Sequence, residues 1–136
     1  MRVYLAALAL AVAAVLAGCQ SQRTSSQAAQ SSGKSAALRN MEQVAIAAYR
    51  CWFDSRDAAF RDYSFANELN SFSGKPRFLL VPKNNFGGKP LLVVQAEGAG
   101  GQITTFGPLM DQPQGARINS DVRRWASGNS DCTGNA

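Results

Sequence analysis

Nine carboxylates, three cysteines and no histidine bound the chemistry open to this 136-residue chain. Without histidine there is no Ser-His-Asp or Cys-His catalysis, and the commonest zinc ligand is missing. Carboxylates are then the one route to hydrolysis. Asp54, Asp57, Asp62, Glu68, Glu97, Asp111, Asp121 and Asp131 are spread along the chain. A cell-wall glycosidase would need two of them about 5 to 9 Å apart, one of them keeping its proton. Spacing in the sequence selects no such pair, so no catalytic residue is assigned. Glycine motifs fare no better. Phe86-Gly87-Gly88-Lys89-Pro90 contains a Gly-Lys step, but Pro90 stands where a phosphate loop needs Ser or Thr opening a helix. Gly98-Ala99-Gly100-Gly101 reads as a turn, because the βαβ context of a dinucleotide site is absent. No metal site and no cofactor is implied.

The cysteines carry more. Met1 and Arg2 form a short positive start, and Val3 to Val15 contains no charge and one hydroxyl, that of Tyr4. As a helix this run reaches about 20 Å, short of the ~30 Å hydrocarbon core, so it suits a targeting signal better than a permanent span. Leu16-Ala17-Gly18-Cys19 follows directly. The tetrapeptide resembles the lipobox of bacterial lipoproteins. That resemblance implies a diacylglyceryl group on the Cys19 sulfur, cleavage between Gly18 and Cys19, and acylation of the new amine with chains such as palmitate. Two or three chains exceed what stable membrane anchoring requires. Gln20 stands where, in the enterobacterial pattern, Asp would hold the protein at the inner membrane. The expected location is therefore the outer membrane, with the domain facing the periplasm.

Lipid on Cys19 changes the thiol count. It leaves Cys51 and Cys132, both in an oxidising compartment, and predicts a disulfide between them. The bridge closes a loop of about 80 residues, worth a little over 4 kcal/mol in the chain-entropy model.

Three segments follow: a signal peptide at 1–18, a lipidated tether at 19–35 and one small domain at 36–136. Gln20 to Ser35 holds six Ser and four Gln, with no aromatic or acidic residue. Such a composition buries too little surface to offset ordering entropy, and its sixteen residues span roughly 22 Å as a coil. Loss of Arg2 with the signal leaves 13 of the 14 Lys and Arg against 9 Asp and Glu. A net charge of +4 outside the cytoplasm points to surface solvation and weak attraction to anionic envelope polymer, with nucleic acid not a partner.

The elements that would hold any site are legible from period and punctuation. Leu38, Met41, Ala45, Ala48 and Trp52 recur at helical spacing, predicting a helix from about Ser35, its N-cap, to Cys51. Residues 54–62 read as a charged loop with a helical turn. Tyr63, Phe65, Asn67 and Leu69 alternate as a strand, and Arg77 to Val81, Leu91 to Glu97 and Gln102 to Phe106 follow as three more. Gly74-Lys75-Pro76 and Gly88-Lys89-Pro90 mark the starts of two of them. Ser120 is the expected cap of a second helix, with Val122, Trp125 and Ala126 inward, Ile118 as a hydrophobic staple and Gly128 at its end. The expected fold is α+β: helix, four-stranded antiparallel sheet, helix, both helices on one face and one disulfide.

These features lead to a non-enzymatic envelope lipoprotein that meets a protein partner through an edge strand or an exposed aromatic such as Phe53, Phe72 or Phe86. The alternatives are a small cell-wall hydrolase using paired carboxylates, and an inhibitor or immunity lipoprotein.

Overall fold

Ser35 opens the first element as expected, its side chain accepting a hydrogen bond from the Leu38 N–H at 3.1 Å. The computed structural model describes residues 33–132. Helix α1, Ala36–Ala48, buries Ala37, Met41, Val44, Ala45, Ala47 and Ala48. It continues as a π-helical segment, Tyr49–Asp54, instead of ending near Cys51. Within it Cys51 and Trp52 are both buried. The charged stretch that follows contains a 3₁₀ turn, Ala58–Phe60, capped by Asp57, whose carboxylate accepts from Ala59 N–H at 2.9 Å. That turn drives Phe60 fully into the interior.

Four strands then meander in order: β1 Tyr63–Glu68, β2 Arg77–Pro82, β3 Leu92–Glu97 and β4 Gln102–Phe106. All neighbours are antiparallel. Phe78, Leu80, Leu92, Val94 and Ala96 alternate onto the face that carries the helices. Leu79, Val81 and Val93 form a smaller cluster on the opposite face with Ala66. Both faces of β2 and β3 are thus apolar, which is why these strands read as continuous aliphatic runs.

The second helix, α2, spans Gly115–Ala126. It begins five residues before Ser120, which lies inside it and caps nothing. The start is set by tertiary packing: a 3₁₀ turn, Pro108–Asp111, lies so close that a Cβ on Gly115 would sit 2.1 Å from Met110 O. Ile118 is therefore a buried helix position, in register with Val122 and Trp125, and not a staple. Ala126 faces solvent, and Asp121 takes the inward place instead. Gly128, at φ 99°, ends the helix as expected, its N–H donating to Trp125 O.

Both helices share one core with the inner face of the sheet, so the expected α+β arrangement is the observed one. Trp52 is its centre, stacked on Phe60 at 4.4 Å and tilted against Trp125 at 5.1 Å. Phe65 stacks on Phe78 at 4.6 Å. Cys51 and Cys132 form the disulfide, tying the end of the first helical run to the tail beyond α2. The tail is also pinned by the Trp125 indole, which donates to Asp131 O at 3.1 Å.

Candidate functional site

The carboxylates were the first candidates, and most are committed to surface pairs or solvent. Glu68 accepts from Arg77 at 2.6 Å, and Glu97 pairs with Lys75 at 2.6 Å. Asp54, Asp62, Asp111 and Asp131 are exposed. The structure brings two together, Asp57 and Asp121, on either side of Arg117. Arg117 Nη2 donates to Asp57 Oδ2 at 2.5 Å, and its Nε lies 3.6 Å from Asp121 Oδ2. Asp121 is 2% exposed and satisfied twice more, by Trp52 Nε1 at 2.9 Å and Arg124 Nη2 at 2.6 Å.

Both carboxylates of this arrangement face an arginine. The Arg117 hydrogen bond holds the Asp57 carboxyl below its ordinary range despite the opposing effect of burial, and Asp57 in turn raises the Arg117 guanidinium. Asp57 therefore carries no proton at neutral pH, whereas a general acid must keep one. The network has a mechanical consequence instead. It fixes Phe60, over which the Arg117 guanidinium lies at 5.6 Å, and it locks α2 to the π-helical segment through Trp52.

Phe60 and Trp52 form the back of a cleft of about 600 Å³ between the π-helical segment and β1. Its side walls are aromatic: Tyr49, Phe53, Tyr63, Phe65 and Phe86. Tyr49 stacks on Phe53 at 6.0 Å, and both meet Phe65 edge-on, at 5.5 and 5.7 Å. Arg56, Arg61 and Lys83 contribute cations to the rim. Arg56 is the one non-glycine among the described residues at positive φ, 57°, a backbone state that L side chains adopt at a cost. Its N–H donates to Phe53 O at 2.9 Å, so the turn that ends the helical run also carries the rim.

A second groove, about 820 Å³, continues along β1 on the other side of Tyr49 and Phe65, lined also by Ala45, Ile46 and Leu69. Ile46 is 67% and Tyr49 48% exposed, so the two hollows share an apolar surface.

Of the aromatics expected at the surface, Phe72 and Phe86 are exposed. Phe53 is a correction: it is half-buried, held between Tyr49, Phe60 and Phe65. The lipid and cleavage residues, Cys19 and Gly18, lie outside the described residues. Sequence reasoning missed Arg117 and the burial of Asp121. Arg117, Asp121 and Arg124 stand four and three apart, a helix-face signal that is visible only once α2 is known to reach back to Gly115.

Among the described residues no group of three or more Asp, Glu and Cys is arranged to hold a metal, and no helix is long and apolar enough to cross a membrane. The fold and its cleft define a disulfide-stapled α+β meander domain. The chain matches no known family model, no curated protein and no solved structure.

Proposed function

We propose that the chain is a bacterial envelope lipoprotein, anchored in the outer membrane by lipid on Cys19, with a non-enzymatic domain that recognises another envelope protein in the periplasm. The observation that carries the recognition role is the aromatic cleft with its rim of Arg56, Arg61 and Lys83. An apolar, partly open hollow with a few charged groups at its mouth is the general form of a binding site. Asp57 and Asp121 are both engaged by Arg117, which favours binding over hydrolysis.

The anchor reading is carried by Leu16-Ala17-Gly18-Cys19 and by the polar run that follows. The Cys51 to Cys132 disulfide agrees with it, since such bridges persist in oxidising compartments.

Chemical crosslinking in intact envelopes, followed by capture of the chain, tests recognition. A discrete partner recovered with the wild type and lost with Phe86→Ala is the expected result. Equal recovery of bulk envelope protein by both would overturn it. Cys19→Ser tests the anchor: the variant is expected to leave the membrane fraction, and its continued processing and sedimentation with membranes would contradict the reading.

A further inference from the structure

The free edge of β1 lies along both hollows, and the hydrogen-bond pattern shows which residues it presents. Lys83 N–H donates to Asp62 O at 3.0 Å, and Leu91 N–H donates to Leu80 O at 2.8 Å. In β2, residues 78, 80 and 82 therefore turn their backbone groups toward β3, and residues 77, 79 and 81 turn theirs toward β1. By register, Ser64, Ala66 and Glu68 bond to β2. Tyr63, Phe65 and Asn67 are left with N–H and C=O groups directed outward, and among the described residues no strand lies beyond them.

Natural sheets blunt such edges with Pro, Lys, bulges or a covering element. From Tyr63 to Asn67 the edge has none of these within its own sequence, Tyr-Ser-Phe-Ala-Asn. Beside it, Phe65 lines both hollows, with Tyr63 and Ser64 in the first and Asn67 and Leu69 in the second. Side chains on one face of an added strand recur about every 7 Å, so alternate residues can enter the two hollows in turn.

Charge selects the occupant. Arg56 and Lys83 have no carboxylate within ion-pairing distance among the described residues, and Arg61 has a 3.9 Å contact to a solvent-exposed Asp62. The carboxylate in the same cleft, Asp57, is already bonded to Arg117. The second hollow sets Lys34 and Arg50 against Glu42, which is paired with Lys34, and Asp54, so the excess of cations belongs to the first hollow. A second copy of β1 would bring the same cations face to face across a two-fold axis, which disfavours self-pairing.

We propose that the edge of β1 binds an extended, acidic segment of the partner protein as a fifth strand, with apolar side chains in the two hollows and carboxylates on Arg56, Arg61 and Lys83. This rests on the recognition reading above and names the partner's chemistry. Backbone pairing supplies the register, and the hollows and rim supply the choice of sequence.

The test uses the mature lipidated chain in detergent micelles and two dye-labelled probes. One is the heptapeptide Glu-Phe-Glu-Val-Glu-Phe-Glu, and the other has every Glu replaced by Lys. Fluorescence anisotropy is expected to show the acidic probe binding at least tenfold more tightly, with the difference shrinking as salt rises. Asn67→Pro removes an outward N–H without touching the β2 ladder, and it should weaken the acidic probe about tenfold or more. Thr105→Pro makes the same change on the outer edge of β4 and should leave binding within twofold. Near-ultraviolet dichroism of Trp52 and Trp125 reports whether each variant is folded, and the surface substitution Lys83→Glu gives a second loss that needs no backbone change.

Equal binding of both probes, no binding of either, or Asn67→Pro and Lys83→Glu both matching the wild type would overturn the proposal. So would wild-type dimers in sedimentation that Asn67→Pro abolishes, or cell-wall fragments filling the cleft equally in both chains. If the crosslinked envelope partner is recovered equally with wild type and Asn67→Pro, recognition stands and the edge does not. If no partner is recovered while the acidic probe binds as expected, the edge stands and the envelope reading fails.

Discussion

Replacing Asp121 by Ala removes the residue on which two helices and two arginines converge, and the cost can be worked from its contacts. Asp121 is 2% exposed and accepts the Trp52 indole N–H at 2.9 Å. Trp52 is itself 1% exposed, so its N–H would be left without an acceptor or water, at about 1 to 3 kcal/mol. Arg124 loses its 2.6 Å bond but is 18% exposed and can turn outward, and Arg117 keeps Asp57. Its Nε has no hydrogen-bond partner even in the wild type, so the departing charge at 3.6 Å is the one that compensated it. Breaking one side of a buried ionic group typically costs about 3 to 5 kcal/mol. Retention of Asp57 and the partial exposure of Arg124 place Asp121→Ala near the lower end, roughly 3 kcal/mol. For a domain of this size that lowers the Tm by roughly 12 to 24 °C. Asp121→Asn keeps an oxygen for Trp52 but loses the charge and turns an amide N–H toward the Arg124 donor, which is exposed enough to swing away, so it should cost less than Asp121→Ala, roughly half as much. Urea unfolding of the mature chain in micelles, followed by tryptophan fluorescence, measures both. Two variants that each cost under about 1 kcal/mol would refute the claim that this carboxylate holds the helices together.

Two further predictions concern the staple and the acid limb. Cys132→Ser opens a loop of 81 residues and should destabilise the domain by about 4 kcal/mol in the chain-entropy model, read as a lower urea midpoint that reductant does not lower further. Because Arg117 depresses the Asp57 carboxyl in the folded state, the pair stabilises the fold fully above the unfolded carboxyl value near 3.8, and this contribution is lost as pH falls through the lower folded value. Asp57→Asn should therefore be less stable than wild type at pH 7, with the gap closing below pH 4; a gap that stays constant with pH would contradict the assignment.

Much of the architecture was legible because it is local. Ser35 caps α1, the Gly-Lys-Pro steps precede β2 and β3, and Gly128 stops α2, each by chemistry confined to a few residues. The start of α2 was not legible, because Gly115 is required by the approach of Met110 O, a contact made across a turn, while Ser120 imitates a cap. The π-helical widening at Tyr49 was hidden for a related reason. The helical stripe runs from Leu38 through Ala48 to Trp52 without a break, so nothing in its period marks the change to the wider turn. The burial of Asp121 was not legible because its partners are Trp52, from a distant segment, and Arg117, from the first turn of α2, which lies ahead of the expected start at Ser120. The cleft combines residues from 49 to 86, and no single window of sequence contains it. The disulfide was legible by arithmetic, since setting Cys19 aside as the expected lipid site left two thiols to pair.

The most direct test of the central claim, a lipid-anchored envelope domain, is the intact mass of the mature protein extracted from bacterial membranes, measured before and after reduction. The expected species begins at Cys19, carries a diacylglyceryl group and an acylated α-amine, and gains two hydrogens when the Cys51 to Cys132 bridge is reduced. A chain with an unmodified Cys19, or one that still retains residues 1–18, would contradict it.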